Sequence, residues 1–255
     1  MKKLKYQWMI AIIFFAGGGM ETVDAQSSVK NNIVLIASPE ILSIPVQDNK
    51  EPMIDVKNRH TLRYGPSPEI PDNTDYTKMR QSVYEKLMQA ESHLPKDLHF
   101  CLYEAYRSLH LQKMLFDNRF ALVKKQHPDW SRDALFIETT RLVSPVLNQD
   151  GSHNIPPHST GGAIDVYLVD EKGNAVDMGI HPKDWMKDHD GSVSLTASKI
   201  ISREAQKNRK IMSDALLAAG FVNYPTEYWH WSYGDKYWAY HAKQSHAIYE
   251  SYNNK

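Results

Sequence analysis

The chain has 255 residues, enough for one sizeable domain after any processing. Lysine plus arginine and aspartate plus glutamate stand at 30 each, with no basic stripe to follow a phosphate backbone, so no nucleic-acid partner is expected. The only cysteine, Cys101, cannot close an internal disulfide, and its place in the alternating run Leu98 to Tyr103 makes it a buried thiol rather than a nucleophile.

In chain order, Met1 to Lys5 is a positive n-region and Trp8 to Ala16 a short apolar core. Val23-Asp24-Ala25 then offers small residues for cleavage before Gln26. This pattern predicts a signal peptide over residues 1–25 and export to the periplasm or outside the cell. The apolar run is short for a bilayer span, and no cysteine follows it to carry lipid, so no stable membrane anchor is expected after cleavage. Residues 26–50 read as an N-terminal tail or linker, with Ile33 to Ala37 as a strand or part of that tail. A domain is expected over residues 51–255.

Three prolines between Tyr64 and Asp75 make that stretch a loop. Met79, Val83, Leu87 and Ala90 recur at helical spacing, predicting a helix from Thr77 to the Leu94-Pro95 break. A strand over Leu98 to Tyr103 delivers Glu104-Ala105-Tyr106-Arg107 at its end. A helix follows from Ser108 to Lys125, and another capped by Ser131 runs toward Pro145. After a loop over 148–157 come His158, the turn glycines Gly161 and Gly162, and a strand over Asp165 to Val169. Asp170 to Asn174 is a turn, with Ala175 to Gly179 as a hairpin return. Ser202 caps a helix closed by Gly220, and Tyr228 to Trp231 is the last strand. These elements predict an α+β single domain, a small mostly antiparallel sheet flanked by helices.

Chemistry concentrates in two stretches. In the first, alternation puts Ile164, Val166 and Leu168 on one face of a strand and Asp165 and Tyr167 on the other. The glycines can fold the preceding loop so that His158 returns beside Asp165. Imidazole plus carboxylate is half of a zinc site. In the second, Glu227-Tyr228-Trp229-His230, His230 would be a third zinc ligand with the fourth position left to water. Glu227 would then take a proton from that water. On a regular strand, residues three apart point to opposite faces, so Glu227 must sit on an irregular approach, which Pro225 permits. The blander reading stands beside this: most of the 12 histidines must be surface or satisfied core residues.

Ala105-Tyr106-Arg107, His158-Ser159-Thr160-Gly161-Gly162-Ala163-Ile164-Asp165 and Glu227-Tyr228-Trp229-His230-Trp231 resemble, in order and spacing, the three signature blocks of the zinc D-alanyl-D-alanine dipeptidases. That family shares a clan with the zinc D,D-carboxypeptidases and the hedgehog domain. Asp177-Met178-Gly179, Lys183-Asp184-Trp185-Met186 and Glu204-Ala205-Gln206 extend the likeness, which runs from about Asp55 to Tyr240. The resemblance implies a hedgehog-like fold and one Zn2+ per chain on His158, Asp165 and His230. It implies Glu227 as general acid/base, Arg107 steadying the oxyanion, and Asp184 binding the substrate ammonium of D-Ala-D-Ala. Arg107 as a structural ion-pair partner and Asp184 as a solvated loop charge remain the alternative readings. The chain departs from the family at Pro156-Pro157, where serines that help hold the substrate carboxylate are common, and at Ser108, where proline is common. The expected function is hydrolysis of the dipeptide in cell-wall turnover or salvage. A D,D-carboxypeptidase trimming stem peptides and a non-catalytic zinc-containing wall-binding module are the rivals.

Overall fold

The computed structural model describes residues 33–59 and 61–252. The signal-peptide region lies outside the described residues. Fourteen elements matter for the site: α1 (Pro39–Leu42), β1 (Met53–Asp55), β2 (Arg63–Tyr64), β3 (Lys78–Arg80), α2 (Gln81–Glu91), β4 (Leu98–Glu104), α3 (Leu109–Gln126), α4 (Arg132–Thr139), α5 (Pro157–Thr160), β5 (Ala163–Asp170), α6 (Arg203–Ala218), β6 (Val222–Asn223), β7 (His230–Ser232) and α7 (Lys236–His241).

Five strands form one sheet in the order β2-β4-β5-β7-β6. Only the β2–β4 pair is parallel; β4–β5, β5–β7 and β6–β7 are antiparallel. The architecture is the α+β arrangement expected from the sequence. Period-two alternation sorts the faces. Phe100 and Leu102 pair with Leu168 and Val166, and Ile164 pairs with Trp231. All six are fully buried against Val83 and Leu87 of α2 and Met212 and Leu216 of α6. The opposite face carries Cys101, Tyr103, Asp165, Tyr167 and His230, and it faces the site. Cys101 is a buried free thiol, as its alternating setting predicted.

The helix expected from Thr77 begins only at Gln81. Met79 is instead paired with Ile54 in a second, two-stranded sheet, and Arg80 is extended at φ −62°, ψ 146°. The start is set from a distance: Glu51 accepts from the Ser82 backbone N–H and, at 3.0 Å, from its hydroxyl. Local periodicity could not carry that information. The return strand over Ala175 to Gly179 is reduced to one bridge, Val169 to Ala175. Its next carbonyls go to α6 instead, Asp177 O accepting from Asn208 at 2.9 Å and Met178 O from Arg209 Nε at 2.8 Å. The last strand begins at His230, two residues later than expected, because Tyr228 and Trp229 complete a turn.

Residues 33–50 are packed rather than a tail or linker. Ile36 and Ile41 are buried against Tyr224 and Tyr237. Lys236 Nζ donates to Leu42 O at 2.7 Å, and the Ala247 and Gln47 backbones exchange bonds with Pro45 O and Ala247 O. Apolar side chains at 36 and 41 supply the burial that a solvated linker lacks. Among the described residues no helix is long and apolar enough to cross a membrane.

Candidate metal and catalytic site

Three side chains converge on the site face. Asp165 of β5 is directly paired with His230 of β7. His158 comes from α5, a single turn that starts with Pro157 at its first position, where a fixed φ and a missing N–H cost nothing. Gly161 ends that turn in the left-handed region at φ 75° and sends the chain into β5. The folding-back of His158 onto Asp165 inferred from the glycines is therefore realised.

The donor atoms form a near-equilateral triangle. His158 Nε2 lies 3.1 Å from His230 Nδ1 and 3.3 Å from Asp165 Oδ1, and His230 Nδ1 lies 3.1 Å from Asp165 Oδ1. Two ligands each about 2.0–2.1 Å from a tetrahedral ion are separated by about 3.3 Å, so these side chains fit a metal ion without rearrangement. His158 Nδ1 donates to Ala105 O at 2.7 Å, which fixes the tautomer and leaves the Nε2 lone pair toward the triangle. Burial lowers the His230 pKa and keeps its imidazole neutral, as a ligand must be. Burial pushes the Asp165 carboxyl up, but the two imidazoles outweigh it and hold the group below the ordinary carboxylate range.

Glu227 sits where strand geometry is broken. Its N–H donates to Tyr224 O at 2.9 Å in a turn after Pro225, and His230 N–H returns to Glu227 O at 3.1 Å. The irregular approach anticipated from Pro225 turns its side chain into the same small cavity, about 30 Å³, as His158, Asp165 and His230. Burial, reinforced by Asp165, raises its pKa well above the ordinary value. A buried carboxyl so perturbed is suited to taking up a proton and passing it on.

Arg107 lines that cavity too. Its Nε donates to Glu104 Oε2 at 3.1 Å, its Nη2 donates to the same oxygen, and its Nη1 donates to Gln112 Oε1 at 3.0 Å. Gln112 is held in turn by Ser144 O at 2.7 Å. Burial works against the charge, and Glu104, with Glu69 and Asp165, more than offsets it, so the guanidinium stays charged. Glu104 owes its position to a register shift after Leu102 that sets it opposite Asp165. Arg107 is therefore both an ion-pair partner and a fixed cation facing the cavity.

Asp184 is not brought to this group. It lies in the 3-10 turn Pro182–Lys187, 2.6 Å from Lys187 Nζ, and does not line the cavity. An acid the sequence reading passed over is nearer. Glu69, on the proline-bracketed loop after β2, is half-buried within electrostatic reach of Arg107, Glu104, Asp165 and His158. Burial raises its pKa from 4.5 to about 7, with Glu104 and Asp165 adding to the rise and Arg107 opposing it. Pro68 and Pro71 on either side were the sequence signal of a rigid loop, but nothing local pointed it at the site.

Two imidazoles and a carboxylate poised for a metal, beside a buried carboxyl and a fixed guanidinium, make this chain a metallopeptidase. A family model described as D-ala-D-ala dipeptidase matches residues 71–250, and the chain belongs to that family. It is 26% identical over 237 residues to a D-alanyl-D-alanine dipeptidase of Synechocystis sp., covering 82% of this chain and 92% of the relative. It is 37% identical over 73 residues to a D-alanyl-D-alanine dipeptidase of Escherichia coli, covering 29% of this chain and 35% of that one. Among solved structures, VanYB in complex with D-Alanine-D-Alanine aligns with TM-score 0.36 and 12% identity over 80% of this chain and 93% of that chain. The LdcB LD-carboxypeptidase aligns with TM-score 0.32 and 15% identity over 77% and 76%. At those scores neither solved structure assigns a residue here.

Proposed function

We propose that this protein hydrolyses D-alanyl-D-alanine to two molecules of D-alanine with one zinc ion held by His158, Asp165 and His230. The observation that carries the reading is the triangle of donor atoms 3.1–3.3 Å apart, which lines one cavity with Glu227 and Arg107. A bound zinc supplies Lewis acidity at the scissile carbonyl and lowers the pKa of water at its open position.

The chain's own groups do the rest. Glu227 accepts a proton from the attacking water as its oxygen adds to the carbonyl carbon. It then gives that proton to the departing amine as the C–N bond breaks. Arg107, held by Glu104 and Gln112, donates to the oxygen that gains charge. Glu69, within electrostatic reach of Arg107, Asp165 and His158, supplies the carboxylate for the substrate ammonium in place of Asp184. With the positive n-region and apolar core at residues 1–16, the setting is export and salvage of wall-derived dipeptide.

The test incubates zinc-loaded protein with D-Ala-D-Ala and with a pentapeptide stem, alongside Glu227→Ala. Free D-alanine from the dipeptide only, lost in the variant, is the expected result. Cleavage of the stem alone would move the protein to the carboxypeptidases, and turnover of neither would sink the enzymatic reading.

A further inference from the structure

The apolar side of the catalytic cavity is not built by the sheet that carries the metal ligands. Ile36, Leu142 and Tyr224 line it, and Ile36 arrives from the segment ahead of α1. That segment is shaped for the purpose. Ser38 N–H donates to Leu35 O at 2.9 Å while Leu35 N–H donates to Ser38 Oγ at 3.0 Å, a tight turn with Ile36 within it. Ile36 N–H lies 3.4 Å from Tyr224 Oη, and the Tyr224 hydroxyl is anchored on Thr140 O at 2.9 Å. Tyr237 Oη donates to Val34 O at 3.3 Å, and Ile41 is buried as a second anchor away from the cavity. Ile36 is 6% exposed, so its side chain is spent on closing this space.

We infer that Ile36 is a specificity-determining residue: with Leu142 and Tyr224 it limits the side chain of the departing, carboxy-terminal residue to about a methyl group. The assignment rests on the dipeptidase reading. The end of the substrate follows from the path of the proton. Glu227 hands a proton to the departing amine, and Ile36 and Tyr224 line the cavity together with Glu227, so the residue bearing that amine meets this wall. The free space in the cavity is small, about 30 Å³, and the Ile36 side chain bounds it on this side.

Ile36→Ala removes three carbons, the number by which leucine exceeds alanine. The ratio of kcat/KM for D-Ala-D-Leu to that for D-Ala-D-Ala is expected to rise about tenfold or more, since a well-fitted apolar pocket discriminates by about 10–200-fold per methylene. Ile36→Val, milder for folding, should raise the ratio for D-Ala-D-2-aminobutyrate, one carbon larger, by a smaller factor. Ile41→Ala, which loosens the segment without lining the cavity, should leave both ratios unchanged. The same ratios read as Kd by calorimetry on the Glu227→Gln protein keep this test separate from failure of turnover itself. Unchanged ratios in both Ile36 variants with zinc content and Tm retained would overturn the assignment. So would an equal gain from Ile41→Ala, or a gain confined to dipeptides enlarged at the amino-terminal residue.

Discussion

Arg107 and Glu227 separate at the residue scale by what their removal leaves behind. Glu227→Gln takes away a proton carrier without touching the ligand triangle, so kcat should fall about 10²–10⁴-fold while bound zinc stays at one per chain. Kinetics with metal analysis on the same sample checks this. Arg107→Ala strips a fully buried Glu104 of its cation, and breaking a buried pair costs about 3–5 kcal/mol. Urea unfolding should show that loss, and adding Glu104→Gln should restore part of the stability while turnover remains absent. Glu69 gives a pH signature. Its folded pKa of about 7 lies above its ordinary 4.5, so the folded state favours the protonated acid. The associated stability is complete below pH 4.5 and is lost as pH rises through about 7. In metal-free protein, Glu69→Gln should therefore be more stable than the native sequence at pH 8, with the difference vanishing toward pH 4; urea midpoints across that range decide it. Of these residues, Glu227, Arg107 and the ligands were legible because they sit in dense local motifs. Glu69 was not, because only the docking of its loop beside the end of β4 gives it meaning.

At the scale of elements, Gly161 decides where His158 points. Its φ of 75° is left-handed, and a Cβ there would meet Met53 Sδ at 2.5 Å and Cε at 2.7 Å. Gly161→Ala should lower Tm and weaken zinc binding together, measured by thermal denaturation and by competition with a chromophoric chelator. The glycine's role as a turn former could be read from the chain, and so could the alternation that puts Asp165 opposite the core face. What could not be read are the places where elements answer to distant partners. Glu51 starts α2 at Gln81, and Arg209 holds Met178 away from β5. The shift after Leu102 is equally silent in the sequence, since Leu98 to Glu104 alternates without any mark of it.

For the whole molecule, the ligands come from α5, β5 and β7, and the wall from a segment more than 100 residues earlier. An ion bound by the folded triangle and not by the open chain stabilises by mass action. Removing zinc with a chelator should lower Tm, and restoring it should return the transition, with a size that depends on free zinc concentration. Absence of any shift would mean the triangle does not bind. The α+β class was visible because helical and strand periodicities are clean. The packing of residues 33–50 was hidden because Ile36 and Ile41 are too few to make a periodic pattern.

Residues 105–107 and 158–159 are tied in both directions. His158 Nδ1 donates to Ala105 O, Arg107 N–H donates to His158 O at 3.3 Å, and the Ser159 hydroxyl donates to Arg107 O at 2.9 Å. His158 and the backbone that carries Arg107 thus share one clasp. An ion on the triangle and an anion on Arg107 are expected to be coupled through it, each then changing the other's affinity by the same factor.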